Sequence, residues 1–490
     1  MKSNPYKYSD WQHLIPNIES AINEMSKTPI LSVGITPYTR IIPAFFLDNY
    51  SIYSAKRSSD VDVIEQYTKM HVLEDMDPAI AKRVHGTSFL VKSPAFKSFL
   101  RSIDPSTRLM FYTMTDDLVR TLRELNLPFI GNDPKICEEV KYKSSFRELL
   151  KRLEISSPKS KSYFREDFFN SSFDALRQEF SGSFVIQRGD KETGGNEGTF
   201  FVHKREDFEH ALFAFKQKPD FEQVVVTQFI DGYSTSMLGC AMDQGTISGP
   251  LQLQLVDVPE SLQSIPNNGI FFGNDLEFKM WNEETEIKAQ DIVEKIGAHL
   301  YQGGYRGIFG IDFLFDKNRQ DIFAIECNPR FTGSLLLHSL SMLELKNPPL
   351  EFFHLASHLG IHLEFDFEKV NTALKKRAGY SHISFSPKEI PRMLLPLVAG
   401  VYSFNEKEES LVYKGTGISL SDLKSKDDFL LIDTVPQPNY NIEVNVPRLF
   451  KLIFPYSIAI ASNKIEKRSA FLVNRFASSL IEALKHERNN

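Results

Sequence analysis

Gly303–Ser334 reads GGYRGIFGIDFLFDKNRQDIFAIECNPRFTGS. Two runs rich in β-branched and aromatic residues flank Asn318-Arg319-Gln320, the pattern of a β-hairpin closed by a three-residue loop. That closure sets Asp312 directly opposite Glu326. Side chains alternate along a strand, so Gly310, Asp312 and Leu314 share one face with Ala324, Glu326 and Asn328. The other face receives Ile311, Phe313, Phe315, Phe323, Ile325 and Cys327. One side of the hairpin therefore belongs against a core, and the other presents two carboxylates side by side.

Two facing carboxylates repel unless positive charge lies beside them. A hard divalent cation such as Mg2+ meets that need, taking carboxylate oxygens, an amide carbonyl such as that of Asn328, and phosphate oxygens of a ligand. The alternative is an ordinary ion pair from Arg306 or Arg330 to either carboxylate. Both readings depend on register, since a slip of one residue sends the pair to opposite faces.

Upstream, Lys143–Ile155 places Phe146, Leu149, Leu150 and Leu153 at i, i+3, i+4 and i+7. This spacing predicts an amphipathic helix headed by Lys143 and ending before Ser156-Ser157-Pro158. Two strand–turn units follow. SFVIQRG leads through Gly194-Gly195-Asn196-Glu197-Gly198-Thr199 into TFFVH, and glycines at such a turn let backbone N–H groups approach phosphate closely. EQVVVTQFIDG and STSMLGCAM come next, and Glu284–Gln302 reads as a helix.

In this order the segments resemble the ATP-grasp superfamily. Glu326-Cys327-Asn328-Pro329-Arg330, preceded by Gly310-Ile311-Asp312-Phe313, looks like the family's E-x-N-x-R element. The resemblance spans roughly 138–345. It is of the carboxylate–amine ligase type, with an ATP-binding domain like those of carbamoyl-phosphate synthase and biotin carboxylase. It implies ATP and Mg2+ as cofactors, with Mn2+ as the alternative ion, and Asp312, Glu326 and Asn328 as metal ligands. Arg330 and Lys143 are the implied catalytic residues: Lys143 reaches the ATP phosphates, and Arg330 the transferred phosphoryl group or the tetrahedral intermediate. Nucleotide contacts fall on Lys143, Gln187, the loop glycines Gly194, Gly195 and Gly198, and the hinge Gln228, Phe229 and Ile230 that would hold adenine. Lys141 competes with Lys143 for the phosphate role. Thr332-Gly333-Ser334 heads an apolar run, Leu335–Leu345, read either as a helix N-terminus that receives a substrate carboxylate or as a simple N-cap.

The departures from the family pattern are specific. Gln187 stands where a lysine is usual, and Arg188 cannot replace it because neighbouring strand residues point to opposite faces. Lys191 in the loop is the candidate for compensation. The hinge has Thr227-Gln228 where acidic residues are frequent, and Ser234 where a ribose-binding glutamate often lies.

Outside this region the chain predicts an α/β and α+β multidomain protein. Residues 1–137 form a parallel α/β domain like those that precede ATP-grasp domains, 138–350 the ATP-grasp domain, and 351–490 an α+β domain of unassigned type. In the first, Pro29–Ile35, Arg108–Thr113 and Pro128–Ile130 read as strands and Asp116–Leu125 as a helix. In the last, Lys388–Phe404 and Val412–Ser421 read as strands and turns, and Ser469–Lys485 as a helix striped by Leu472, Phe476, Leu480 and Leu484. No internal repeat or low-complexity tract interrupts the chain.

Composition narrows the function classes. Of 490 residues 42% are hydrophobic and 24% charged, and the net charge of −6 offers no basic field for nucleic acid or acidic membranes. Three widely spaced cysteines (Cys137, Cys240, Cys327) form no metal or disulfide motif and suit the reducing cytoplasm. No apolar run has the length of about 18 residues that a membrane span needs. The expected function is an ATP-dependent ligase that activates a carboxylate as an acylphosphate and joins it to an amine, releasing ADP and phosphate. The alternatives are a carboxylase or thiol-ligase of the same superfamily, and a nucleotide-binding regulatory protein without turnover. The expected partners are a small-molecule carboxylate and amine, an amino acid or short peptide among them, with no nucleic acid or membrane; a homo-oligomer is compatible. Basic residues near Arg40, Arg57 and Arg306 could bind a substrate carboxylate, but each is read as a solvated surface cation.

Overall fold

In the computed structural model, which describes residues 4–476 apart from 85, 191–197, 218–219, 262–268, 386–397, 406–409 and 436–448, the N-terminal part is built on five parallel strands. Their spatial order is Lys69–Val72, Tyr50–Ser54, Ile30–Gly34, Arg108–Phe111, Phe129–Ile130. Every residue of Ile30–Gly34 is buried, because its alternating side chains feed two cores: Ile30 joins Ile52 and Met110, while Leu31 and Val33 join Tyr53, Leu109 and Phe111. The predicted strands and the helix appear at Ile30–Gly34, Arg108–Phe111, Phe129–Ile130 and Asp116–Glu124, the helix capped by Thr115, whose hydroxyl accepts from the Leu118 amide.

A small antiparallel sheet follows, in the order Ser160–Phe164, Gln223–Gln228, Phe184–Arg188, Thr199–Val202. It has its own core, dominated by phenylalanines such as Phe168, Phe184, Phe208 and Phe215. The helix Lys143–Arg152 docks beside it: both the amide and the hydroxyl of Ser144 donate to the Gly189 carbonyl, at 3.1 and 2.9 Å.

The largest sheet begins with the decisive hairpin. Asp321–Asn328 pairs with Gly307–Asp316, then come Gly232–Met242, Gln252–Val256 and Phe271–Asp275. The sheet does not stop at residue 350. Phe271–Asp275 pairs with Ser381–Phe385, and Phe450–Phe454, Asp428–Ile432, Gly400–Asn405 and Ser410–Gly415 continue it. Buried Asp275 ties the two halves, accepting from the Ser457 hydroxyl and from the amides of Ile458 and Ala459 at 2.8–2.9 Å.

The hairpin differs from expectation in two ways that offset each other. Its loop has four residues, 317–320, because Asp316 Oδ1 accepts from the amides of Asn318 and Arg319 and so starts the turn one residue early. A β-bulge at Ile325 then restores the register, so that Asp312 still faces Glu326 and Gly310 still faces Asn328. Between turn and bulge the faces are exchanged: Ala324 pairs with Phe313 and Phe323 with Leu314, opposite to the regular alternation. Near the C-terminus a helix covers 467–476 with Leu472 and Phe476 buried; Leu480 and Leu484 lie outside the described residues. Of Lys388–Phe404, the part from Gly400 is strand, and residues 388–397 are outside the described set.

Candidate active site

The bulged hairpin, the first turn of the helix Lys143–Arg152 and the strand Gln252–Val256 converge on one patch. Asp312 Oδ2 accepts from Asn328 Nδ2 at 2.9 Å, and Asp312 Oδ1 accepts from Gln254 Nε2 at 2.8 Å. Lys143 Nζ donates to Glu326 Oε2 at 2.7 Å, with only 13% of the lysine side chain exposed. Arg330 Nη2 donates to Asn328 Oδ1 at 2.9 Å, and Nη1 to the Phe331 carbonyl at 3.0 Å. One helical turn after Lys143, Arg147, itself buried, donates from Nη1 to the Ala324 carbonyl at 3.0 Å, just before the bulge.

These contacts split the two carboxylates electrostatically. Burial, followed by the neighbouring charge of Glu326, pushes the Asp312 pKa up to about 7 against the opposing pull of Arg330, Gln254 and Asn328. Burial also acts to raise Glu326, but Lys143, Arg330 and Arg147 together outweigh it, and its pKa lies below the ordinary value. One carboxylate is thus held ionised by cations while the other is poised near neutrality. The arrangement fits a divalent ion that displaces a proton from Asp312 and a lysine from Glu326. Among the described residues no cluster of three or more His, Cys, Asp or Glu side chains forms an all-protein cage. Two carboxylates and an amide suit Mg2+, which retains waters and phosphate oxygens in its shell.

The structure therefore brings Lys143, Asp312, Glu326, Asn328 and Arg330 together. Lys141 goes elsewhere, lying over the Tyr142 ring and lining a cavity with Arg330, Tyr112 and Phe331. Arg306 makes no ion pair with the hairpin: its guanidinium stacks on Tyr301 at 3.6 Å and donates to the carbonyls of Tyr301 and Tyr305. Ser334 bonds to the Thr332 hydroxyl at 2.8 Å and makes no side-chain cap for the helix Leu335–Glu344, contrary to the N-cap reading.

The hinge residues Gln228, Phe229 and Ile230 line an open cleft with Ser157, Lys159 and Phe323, between the small sheet and the hairpin turn. Two of their amides are already used, Gln228 N–H by the Lys159 carbonyl and Phe229 N–H by that of Ser183. Gln187 donates to Thr199 Oγ1 at 3.2 Å, whereas Arg188 points away to Asp220. Gly198 has φ +84° where the loop re-enters the strand; Gly194, Gly195 and Lys191 lie outside the described residues. Ser234 contacts the C-terminal part, its amide donating to Ser462 Oγ.

Gln254 is not among the residues expected from the sequence. The alternation Gln252-Leu253-Gln254-Leu255 carries a signal, since it sets two amides on one face of a buried strand. Gln252 is fully buried, and neither of its amide atoms finds a partner among the described residues; the same holds for the hydroxyl of Ser236, its cross-strand neighbour. Ser236 is in turn opposite Asp312, so a polar row leads away from the carboxylates along the sheet.

Residues 171–334 match the model of the ATP-grasp domain. The chain is 24% identical over 225 residues to a [butirosin acyl-carrier protein]–L-glutamate ligase of Niallia circulans, covering 45% of this chain and 50% of the relative. It is 22% identical over 218 residues to the carbamoyl phosphate synthase large chain of Clostridium botulinum, covering 44% and 18%. The chain thus matches half or less of the length of these curated relatives. Among solved structures it resembles a biotin carboxylase–beta-gamma-ATP complex from Campylobacter jejuni, with a TM-score of 0.57, 14% identity and 88% of each chain covered. It also resembles the carboxyaminoimidazole ribonucleotide synthase of Aspergillus clavatus complexed with ATP, with a TM-score of 0.51, 11% identity, and 93% and 99% covered.

Proposed function

We propose that this chain, which carries an ATP-grasp domain, is an ATP-dependent ligase that activates a carboxylate as an acylphosphate and joins it to an amine. The observation that carries this reading is the convergence of Lys143 and Arg330 on the paired carboxylates Asp312 and Glu326. In the first step a substrate carboxylate oxygen forms a bond to the γ-phosphorus of ATP, and the bond from that phosphorus to the β–γ bridging oxygen breaks, releasing ADP. In the second the amine nitrogen bonds to the acyl carbon, a proton leaves the nitrogen, and phosphate departs with the bonding pair of the C–O bond.

Asp312, Glu326 and Asn328 are the residues that would hold Mg2+, which when bound offsets phosphate charge during transfer. Lys143, released from Glu326 in that state, would reach a phosphate oxygen from the helix N-terminus. Arg330 offers a planar guanidinium to the three equatorial oxygens of the phosphoryl group and then to the oxyanion of the tetrahedral intermediate. Gln187, Gly194, Gly195 and Gly198 would cover the phosphates, and the cleft at Gln228, Phe229 and Ile230 would take the adenine. The substrates are a small carboxylate and a small amine, an amino acid being favoured by the L-glutamate in the name of the Niallia circulans relative. Three buried cysteines outside any disulfide among the described residues fit work in the cytoplasm.

A nucleotide-binding protein without turnover is the second reading, favoured by Gln187, which brings no charge to the phosphates. The test is to follow ADP, AMP and phosphate while Mg-ATP is incubated with pooled carboxylates, with pooled amines, and with both. ADP and phosphate released only with both pools support the ligase. AMP with pyrophosphate overturns the acylphosphate route, and tight nucleotide binding without release favours the second reading.

A further inference from the structure

Arg40, read from sequence as a solvated cation, is only 8% exposed. It follows the strand Ile30–Gly34, at the point where the parallel sheet changes its direction of winding between that strand and Arg108–Phe111. Ligands of open α/β sheets gather in the crevice at the carboxyl ends of strands around such a point. The guanidinium lies flat against Gly34: a Cβ there would stand 1.8 Å from Nη2 and 2.0 Å from Cζ, so the strand end leaves room for it only as glycine.

The hydrogen bonds of Arg40 are one-sided. Nη1 donates to the Thr36 carbonyl at 2.5 Å and to Thr39 Oγ1 at 3.0 Å, which fixes the head group. Nε is buried without a partner, Nη2 makes no hydrogen bond, and no carboxylate pairs with the guanidinium among the described residues. Nε and Nη2 together form the edge that grips a carboxylate through two parallel bonds. A buried, unpaired guanidinium is costly, and an anion is the group that relieves the cost.

Beside this head group Ser32, Thr39, Tyr112, Phe331 and Glu351 line a small recess. Tyr112 and Phe331 also line the cavity that contains Arg330, so that aromatic pair borders both spaces. We propose that Arg40 anchors a carboxylate group of the substrate in this crevice, a carboxylate other than the one that reacts near Arg330. The assignment of that carboxylate to the ligase's substrate rests on the function proposed above. The charge balance selects the ligand class: one guanidinium, with the Glu351 carboxyl in the same lining, matches a monoanionic carboxylate, whereas a phosphate dianion would stay undercompensated.

The experiment uses the full chain without nucleotide. Melting is followed against increasing acetate, succinate and inorganic phosphate at constant ionic strength, for the wild type, Arg40→Met and Arg40→Lys. MgADP is titrated separately into all three. The expected result is saturable stabilisation of the wild type by the carboxylates, no such response in Arg40→Met, and several-fold weaker binding in Arg40→Lys, which keeps the charge but not the fork. The MgADP response is expected to be the same in all three, so failure of the nucleotide reading is seen independently. Equal carboxylate responses in the wild type and Arg40→Met overturn the site, as does the lack of any carboxylate response in the wild type. Stronger stabilisation by phosphate, lost in Arg40→Met, overturns the ligand class. Should Arg40→Met not fold, Arg40→Lys decides: undiminished carboxylate binding there overturns the bidentate anchor.

Discussion

Lys143 holds the place of a cation. It sits on Glu326 at 2.7 Å and is largely shielded from solvent, so Glu326 is ionised without a metal. Removing the lysine leaves that carboxylate beside Asp312 with less compensation, and two facing negative charges attract a divalent ion more strongly. Lys143→Met is therefore expected to bind Mg2+ several-fold more tightly in the absence of nucleotide, and to bind ATP more weakly, both measured by titration calorimetry. Tighter ATP binding in this variant would argue against the phosphate role. Glu326→Gln removes one of the two anionic ligands while preserving shape, and turnover is expected to fall by about a thousandfold or more with an unchanged circular dichroism spectrum. Activity near the wild-type level would show that the hairpin carboxylates are not the metal site. These residues were readable from sequence because four of them lie within a single hairpin and the fifth heads an amphipathic helix. Gln254 and Arg40 were not readable in the same way. Gln254 reaches Asp312 only through pairing between strands distant in sequence, and the burial of Arg40 depends on the missing side chain of Gly34.

The hairpin keeps Asp312 opposite Glu326 through a compensation that no residue pattern announces. A four-residue turn displaces the partner by one position, and the bulge at Ile325 displaces it back. Alternation gave the right pair at the site and the wrong faces for Phe323 and Ala324, since the extra residue lies between them and Glu326. The bulge has a dedicated support: buried Arg147 donates to the Ala324 carbonyl and its charge lowers the Glu326 pKa, while burial pulls its own pKa down to about 10. Arg147→Met leaves that carbonyl without its donor and withdraws one of the cations acting on Glu326. The expected loss is about 1–3 kcal/mol in chemical denaturation, together with a higher Glu326 pKa in the metal-free protein. A variant that keeps full stability would show that the bulge stands without the arginine.

Across the whole molecule the strands that pair locally were legible; beyond residue 350 only the strands around Gly400–Asn405 and Ser410–Gly415 were, and their place in the large sheet was not. Ser381–Phe385 and Phe450–Phe454 join a sheet begun by residues far away in the chain, and short strands of that kind carry no local mark of their partners. The fold so assembled buries titratable groups of both kinds, and this fixes its response to pH. Burial pushes His71, His338 and His358 down to about 4 and His354 well below its ordinary value, so all four are neutral in the folded chain where the unfolded chain would protonate them. Burial pushes Asp60, Asp312 and Glu351 up to about 7, so these hold protons that the unfolded chain has released. As pH rises towards about 6.5, the four histidines favour folding and the three carboxyls oppose it. Above about 6.5 the histidine contribution is complete, while the carboxyls continue to lose protons through about 7, and stability falls. Metal-free protein is therefore expected to show a shallow stability maximum between about pH 6 and 7 in urea titrations. Saturating Mg2+ takes Asp312 in its ionised form, which removes one of the opposing carboxyls and moves the maximum to higher pH. A metal-free stability that rises steadily through pH 8 would mean that the carboxyls are not held protonated, and with it the charge asymmetry between Asp312 and Glu326 would fail.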